Sequence, residues 1–293
     1  MTALLIDFNN LSIRNVFQSK DMINNPAPDW GLHKHSLIQS IFYNIRKFNP
    51  SEVILAVDDK NCWRKKVYPE YKAHRKDKKD NDIFPWDEYQ IYINSFLEDI
   101  KATFPFMVIQ VSYSEADDVI GVLAKHIPSD KVVVTADSDY IQLMSIPKLK
   151  LFNPLKDKFV INDNPKMSLM VKILAGDSGD NIPNIKPRLG PKTAEKLIIN
   201  NEVESFIADN KLTENFVRNQ KLIDWNYIPE ILKSKIIETY SNYKLNTTSD
   251  IFGFMIRHRL RKHLEDISIL KQTLKPLTDG MVNKEFRDFC EGN

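Results

Sequence analysis

Cysteine is nearly absent from this chain. Cys62 and Cys290 are the only two in 293 residues. They share neither a metal-ligand spacing nor a pairing pattern, which excludes a disulfide scaffold and points to a reducing cytosol. The six histidines show no metal-ligand spacing either. No basic segment followed by an apolar one opens the sequence, and no apolar run reaches 18 residues, so secretion and membrane crossing are not expected. Internal repeats and low-complexity tracts are also missing. Net charge of one sign is lacking too, at only +2, while 42% hydrophobic and 27% charged residues are ordinary for a soluble globular protein. A chain of this length holds one large domain or one and a half.

The near-neutral total hides an asymmetry. Residues 60–79 carry nine basic side chains (Lys60, Arg64, Lys65, Lys66, Lys72, Arg75, Lys76, Lys78, Lys79) against Glu70 and Asp77. Acids collect elsewhere, at the ends of apolar runs. Basic surface beside an acidic pocket suits a polyanionic substrate handled at a metal centre.

Apolar periodicity gives the elements. Residues 3–8, 53–57, 107–111 and 132–135 read as strands, with shorter ones at 150–152 and 159–161. Between them, 33–48, 84–104 and 115–126 read as helices, the last with Ser114 as N-cap. Strand and helix alternate, so the fold class is α/β with a parallel-sheet core. After about residue 164 the strand signal stops. Helices are expected at 167–174, 191–200, 202–209, 214–222, 229–240 and 251–264, which divides the chain into an α/β core over 1–164 and an all-helical subdomain over 165–293. The last dozen residues read as loosely ordered.

Eight acids stand in five short clusters: Asp7 after Leu4-Leu5-Ile6, Asp58 after Ala56-Val57, Glu115 and Asp117 around Ala116, Asp137 and Asp139 around Ser138, and Asp177 and Asp180 around Ser178-Gly179. Three clusters end a β-branched apolar run. Carboxylates at the C-terminal ends of parallel strands point into the crevice where open α/β sheets bind ligands. That many together need a counter-charge. A hard divalent ion, Mg²⁺ with Mn²⁺ as substitute, supplies it, and two ions about 3.5–4 Å apart make a phosphodiester-cleaving site. Asp59, Asp118 and Asp130 read as caps or solvated acids.

The order Ile6-Asp7-Phe8, Val57-Asp58, Glu115-Ala116-Asp117-Asp118, Thr135-x-Asp137-x-Asp139, Gly176-Asp177-x-x-Asp180-Asn181-Ile182-Pro183 and Leu189-Gly190-Pro191-Lys192-Thr193-Ala194 resembles the 5′-nuclease superfamily of flap endonucleases and 5′-3′ exonucleases, with its PIN-like core. Tyr68-Pro69-Glu70-Tyr71-Lys72-x-x-Arg75, with Trp63-Arg64 and Trp86, makes it most similar to the RNase H-type enzymes of T-even phages. The likeness covers roughly residues 3–200.

The resemblance implies one metal ion near Asp7, Asp58, Glu115, Asp117 and Asp137 and a second near Asp139, Asp177 and Asp180. It implies a basic arch or clamp at about residues 60–95, under which a single-stranded 5′ end passes. Lys72 and Arg75 would reach the scissile phosphate and stabilise transition-state charge. Arg64 and Lys65 would guide the strand, and Tyr71 would stack on a base. Residues 182–194 resemble the family's helix–loop–helix duplex-binding motif, gripping phosphates through Lys186, Arg188, Lys192, Lys196 and the helix start beside Gly190 and Pro191. The family loop usually reads Gly-hydrophobic-Gly, whereas this one carries a single glycine, so a monovalent-ion site there is in question. Arg257, His258, Arg259, Arg261, Lys262 and His263 form a second basic run, read either as a contact for duplex or a replication partner or as a solvated helix face.

The implied activity is that of a Mg²⁺-dependent, structure-specific 5′-nuclease acting on branched or 5′-recessed duplex DNA and RNA–DNA hybrid, removing RNA primers and flaps in replication. A single-stranded-DNA-binding protein or sliding clamp is the candidate partner of the C-terminal region. A monomer without membrane contact is expected in the cytoplasm, the host's if the chain is phage-encoded. Two alternatives remain open: a related metal-dependent ribonuclease acting on single-stranded RNA, and a non-catalytic structure-specific DNA-binding protein.

Overall fold

The computed structural model describes residues 2–18, 20–75, 82–245 and 250–278. Lys76, Asp77, Lys78, Lys79, Cys290 and the last dozen residues lie outside the described residues.

The sheet starts with β1 (Thr2–Asp7), whose residues Ala3 to Ile6 are wholly buried. An apolar run without polar alternation forms a strand only where both faces are covered. β2 (Glu52–Val57) and β4 (Asp130–Val134) pair with β1 in parallel on its two sides. β3 (Met107–Gln110) extends the sheet beyond β2, and β5 (Leu149–Asn153) beyond β4, also in parallel. The short β6 (Lys158–Phe159) closes that edge antiparallel, giving the order β3-β2-β1-β4-β5-β6. Chain order reverses between β1 and β4. At such a switch point the strand ends open a crevice.

Helix α1 (Phe8–Phe17) follows β1 directly, capped by Asp7, which accepts from the Asn10 N–H at 2.9 Å. Its polar Asn9-Asn10 start hid it from apolar periodicity. α2 (Lys20–Ile23) and α3 (Trp30–Phe48) complete the crossover to β2. After the short α4 (Arg64–Val67), α5 (Trp86–Thr103) leads to β3, and α6 (Ala116–His126) leads to β4. The cap of α6 is not Ser114, whose hydroxyl instead donates to the Val111 carbonyl at 2.7 Å. Glu115 and Asp118 form a reciprocal capping box there.

The remaining helices are α7 (Pro165–Ala175), α8 (Pro191–Ile199), α9 (Val203–Asp209), α10 (Thr213–Ile223), α11 (Glu230–Ser241), α12 (Ile251–Arg257), α13 (Arg261–Glu265) and the helical residues 267–278. The expected single helix over 251–264 is broken around Arg259, whose φ of 55° is left-handed. These helices cover both faces of the sheet. Phe254, Met255, Leu270 and Leu274 join Phe42, Phe96 and Phe104 in one core cluster. Trp225, Leu232 and Ile236 join Val119, Ile120 and Leu123 in the other. The histidines of the second basic run turn inward: His258 lies 3.1 Å from Asp99, and the His263 ring packs on His35 at 4.4 Å between centroids.

Candidate active site

All eight sequence-selected carboxylates line one cleft of about 740 Å³ at the C-terminal edge of the sheet. β1 ends on Asp7, and Asp58 follows the last residue of β2. Asp58 accepts from the Ala116 N–H at 2.8 Å, which ties its strand to the start of α6. Asp137 caps the 3₁₀ helix Ser138–Ser145 by accepting from the Asp139 N–H at 3.0 Å. Asp177 and Asp180 are held by a tight turn in which Asp177 bridges to Ile182. That turn depends on Gly176, at φ 72°, where a Cβ would lie 2.4 Å from the Ile182 carbonyl oxygen. No other residue type fits there.

The cleft divides electrostatically. Asp7, buried, is pushed up to about 7 by burial first and then by the Asp58 charge, although Asn10 and the Tyr140 hydroxyl donate to it. Asp117 is raised well above the carboxylate range by burial, which outweighs the Arg64 guanidinium 3.7 Å away. The Asp117 Oδ1 is buried without a hydrogen-bond donor among the described residues. Glu115 is the opposite case. Burial would raise it, but Lys72 at 2.5 Å and Arg64 at 2.8 Å bring it down to about 2.

The basic segment is bolted onto this site. Lys72 sits in left-handed backbone at φ 56°, its N–H donating to the Asp180 carbonyl at 2.9 Å. Such strain is held in place by its surroundings. Its ammonium bridges Glu115 and, at 3.6 Å, Asp180. Arg75 reaches Asp180 at 2.7 Å, and Asn181 donates back to the Glu70 carbonyl at 2.7 Å.

Two expected strand contacts are overturned. Arg64 is only 1% exposed, its guanidinium paired with Glu115 and with Asp118 at 2.9 Å and donating to the Leu222 carbonyl. Tyr71, also 1% exposed, donates its hydroxyl to Glu115 and Asp180 at 3.0 Å each. A buried guanidinium and a buried phenol find partners inside the protein, so both brace carboxylates rather than meet a strand. Lys65 is exposed. Asp118 is no solvated acid: it is wholly buried and accepts from Trp63, Arg64 and the Glu115 N–H. Asp59 accepts the Tyr113 and Asn61 N–H groups, a loop cap.

In the 182–196 loop, Arg188 has φ 67° and Leu189 is buried, so an arginine holds the left-handed position where glycine is ordinarily favoured. Gly190 has φ −83°, and a Cβ there would meet nothing within 4 Å, so the fold itself does not require it. Lys186 is pinned to Asn210 at 2.5 Å. Arg188, Lys192 and Lys196 are exposed, and the two lysines, four apart, share a face of α8.

Sequence reasoning missed Lys172 of α7, whose ammonium enters the cleft between Asp139 and Asp177. It also missed the α1 wall, where Ile13, Arg14 and Phe17 line the same cleft. A lysine on a helix and a polar helix start carry no distinguishing signal. Against nine carboxylates, counting Asp118 behind the cleft, four cationic side chains among the described residues form ion pairs: Arg64, Lys72, Arg75 and Lys172. The oxygen-only donor set and the orphaned Asp117 oxygen fit a hard divalent cation. Oxygens of Asp139, Asp177 and Asp180 lie within 4.8 Å of one another, as do those of Glu115, Asp117 and Asp118. The neutralising contacts to Arg64 set Asp118 apart from the cleft.

Residues 2–169 match the family described as the 5′-3′ exonuclease, N-terminal resolvase-like domain. The chain belongs to the 5′-3′ exonuclease family. It is thereby a nuclease, a hydrolase. Residues 191–270 also match the family described as T4 RNase H, C terminal. The ribonuclease H of Enterobacteria phage T4 is 25% identical over 292 residues, covering 90% of this chain and 94% of that protein. The flap endonuclease Xni of Shewanella loihica is 33% identical over 166 residues, 53% of this chain and 60% of its own length. Among solved structures, the bacteriophage T5 D15 flap endonuclease in a pseudo-enzyme-product complex with DNA and metal ions aligns with a TM-score of 0.63 at 18% identity, over 81% of this chain and 97% of its own. That similarity shows the shared fold. No helix among the described residues of this family member is long and apolar enough to cross a membrane.

Proposed function

We propose that this nuclease is a Mg²⁺-dependent, structure-specific 5′-nuclease with two ion sites, acting on flaps and on 5′-recessed RNA–DNA hybrid, and that it removes RNA primers during replication. The observation that carries this reading is the half-compensated acidic cleft: eight carboxylates converge beside the strand ends, and among the described residues no cation offsets the burial of Asp7, while Arg64 at 3.7 Å does not offset that of Asp117. The names of the T4 ribonuclease H and of the T5 flap endonuclease complex support the substrate class.

Asp7, Asp58, Glu115, Asp117 and Asp137 would hold one ion, and Asp139, Asp177 and Asp180 the other. Bound there, divalent ions supply activation of the attacking water and neutralisation of the charge on the phosphate and leaving oxygen. The chain's residues do the rest. Lys72 and Arg75 lie on one wall, poised to exchange Glu115 and Asp180 for the non-bridging oxygens of the scissile phosphate, where preorganised cations lower the barrier. Arg64, Tyr71 and Asp118 fix Glu115 so that it does not follow Lys72. The exposed Lys65 would steer the strand. Arg188, Lys192 and Lys196, with Lys186 behind them, would grip duplex phosphates without reading sequence. In this reading residues 1–164, completed by Asp177 and Asp180, carry the chemistry, and the remainder of 165–293 the duplex contacts.

The test is cleavage of a 5′-labelled flap duplex and a 5′-recessed RNA–DNA hybrid, with Mg²⁺ and with EDTA. Metal-dependent release of short 5′ products is expected. Tight binding without cleavage would replace the reading with that of a structure-specific DNA-binding protein.

A further inference from the structure

Lys172 belongs to none of the motifs that define the cleft, yet it neutralises one half of it. It lies on α7 one turn before the helix ends at Gly176, five residues ahead of Asp177. Its ammonium is ion-paired with Asp139 and, at 2.7 Å, with Asp177. Asp180, the third acid of this group, is taken by Arg75 and Tyr71. Oxygens of the three acids lie within 4.8 Å of one another, the spacing of a cation's ligand shell. The amine therefore sits among the oxygens that a divalent ion would use.

The other half of the cleft contrasts with this. No lysine or arginine among the described residues is ion-paired with Asp7, Asp58 or Asp137, and Asp117 keeps an undonated buried oxygen. An ion arriving at Asp7, Asp58 and Asp137 displaces no ion-paired cation from them among the described residues; the cations on that side, Lys72 and Arg64, are held by Glu115. An ion arriving at Asp139 and Asp177 must displace an ammonium already bound to both, or bind beside it against like-charge repulsion.

We propose that Lys172 is a resident counter-ion of the second ion site, occupying Asp139 and Asp177 in the free protein and holding that site's affinity for a divalent ion below that of the first. This inference rests on the metal-nuclease reading above. It gives the two sites an order of filling: the first ion binds to the free protein, and the second binds only when it can compete with Lys172. Lys72 does not play the same part. Glu115, its partner, keeps Arg64, Tyr71 and Cys62 when Lys72 leaves, whereas Lys172 is the one cation ion-paired with Asp139 and Asp177 among the described residues.

The experiment is Mn²⁺ binding to the full-length protein, followed by calorimetry and by the paramagnetic resonance of free Mn²⁺, in the wild type, Lys172→Met, Lys172→Gln and Lys172→Arg. Glutamine keeps a hydrogen-bond donor for the carboxylates and serves if the methionine variant does not fold. The wild type is expected to show one tight and one weak site. Both neutral variants should tighten the weak site at least tenfold and leave the tight one within twofold, while arginine keeps the weak site weak. In EDTA the neutral variants should melt earlier than the wild type, and Mn²⁺ should reverse this. An unchanged or weakened second site in both neutral variants overturns the counter-ion role and reduces Lys172 to a strut, leaving the nuclease reading intact. Two equally tight sites in the wild type also overturn it. No Mn²⁺ binding by any of the four proteins removes the metal-nuclease reading itself, and this inference with it.

Discussion

On the β1–β2 side of the cleft, Asp7 accepts hydrogen bonds from a backbone amide and a tyrosine, Asp58 from a backbone amide, and neither is ion-paired with a cationic side chain among the described residues. On the side built by α7 and the 177–182 turn, Asp139, Asp177 and Asp180 each have a lysine or arginine in ion-pair contact. The same chemical group thus sits in two electrostatic settings within one cleft. The first leaves its burial energy uncompensated and raises the carboxylate pKa. The second satisfies its acids from within the chain. At Asp177, burial and the Lys172 contacts oppose each other, and the lysine wins, lowering the carboxyl below its ordinary value. At Asp139 burial prevails over the same lysine and holds the carboxyl at about 6. An uncompensated acid exists for something that arrives later, and a compensated one can serve only by exchanging partners.

Substitution of Asp7 should break this comparison most visibly. Asp7→Asn is expected to lower Mg²⁺-dependent turnover about a thousandfold, the scale of several kcal/mol that metal-assisted charge stabilisation supplies. The same variant should be more stable than the wild type in EDTA at pH 8, by about 2–4 kcal/mol, because a buried carboxylate has been replaced by a neutral isostere. Denaturant unfolding in EDTA measures this, and a variant less stable than the wild type would contradict the uncompensated setting of Asp7. Next in size, Lys72→Ala should slow cleavage of a flap duplex about a hundredfold while changing duplex affinity little, since a preorganised cation acts on transition-state charge. Equal losses in rate and affinity would reduce Lys72 to a general phosphate contact.

The mirror experiment lies on the compensated side. Asp177→Asn should destabilise the apoprotein by about 1–3 kcal/mol, the range for losing a hydrogen bond to a charged group and leaving Lys172 part-paired. Opposite signs for Asp7→Asn and Asp177→Asn in EDTA sharpen the distinction between the two halves, and equal signs erase it.

How much of this was legible in the sequence differs between the same two halves. The strand-end acids were readable because a parallel strand buried on both faces is a continuous apolar run, and its last residue must emerge at the crevice; Asp7 after Leu4-Leu5-Ile6 is the clearest case. The turn acids were readable through Gly176, Ser178 and Gly179. The compensating cations were not readable in the same way. Arg64 and Tyr71 lie in a segment whose local charge reads as solvated, and only the arrival of Glu115, Asp118 and Asp180 from distant positions buries them. Lys172 lies on an amphipathic helix among apolar residues, where one lysine looks like any other. Local patterns locate acids at strand ends because the backbone dictates their position; their partners come mostly through tertiary contacts, Lys172 reaching Asp139 and Arg64 reaching Glu115 from more than 30 residues away in sequence.

The most discriminating effect, and the smallest per pH unit, is the pH dependence of the difference between wild type and Asp7→Asn in EDTA. Asp7 has a folded pKa of about 7 against an ordinary value of 3.8. Between those values the native state holds a proton that the unfolded state has released, so the slope of stability with pH is negative for this group. Its stabilising contribution is complete below the unfolded value and disappears as pH rises through about 7. Buried histidines pull the other way: His33 and His263 are lowered by burial, so they lose stability as pH falls below 6.5. They are common to both proteins and cancel in the difference. The wild type should therefore lose ground to Asp7→Asn as pH rises from 5 to 7, by at most about 1.4 kcal/mol per pH unit, and the difference should level off above pH 8. Millimolar Mg²⁺ should abolish the loss, because an ion bound to the deprotonated site stabilises the folded state. A difference independent of pH in EDTA would mean that Asp7 already has a counter-charge in the free protein, and the two halves of the cleft would then be alike.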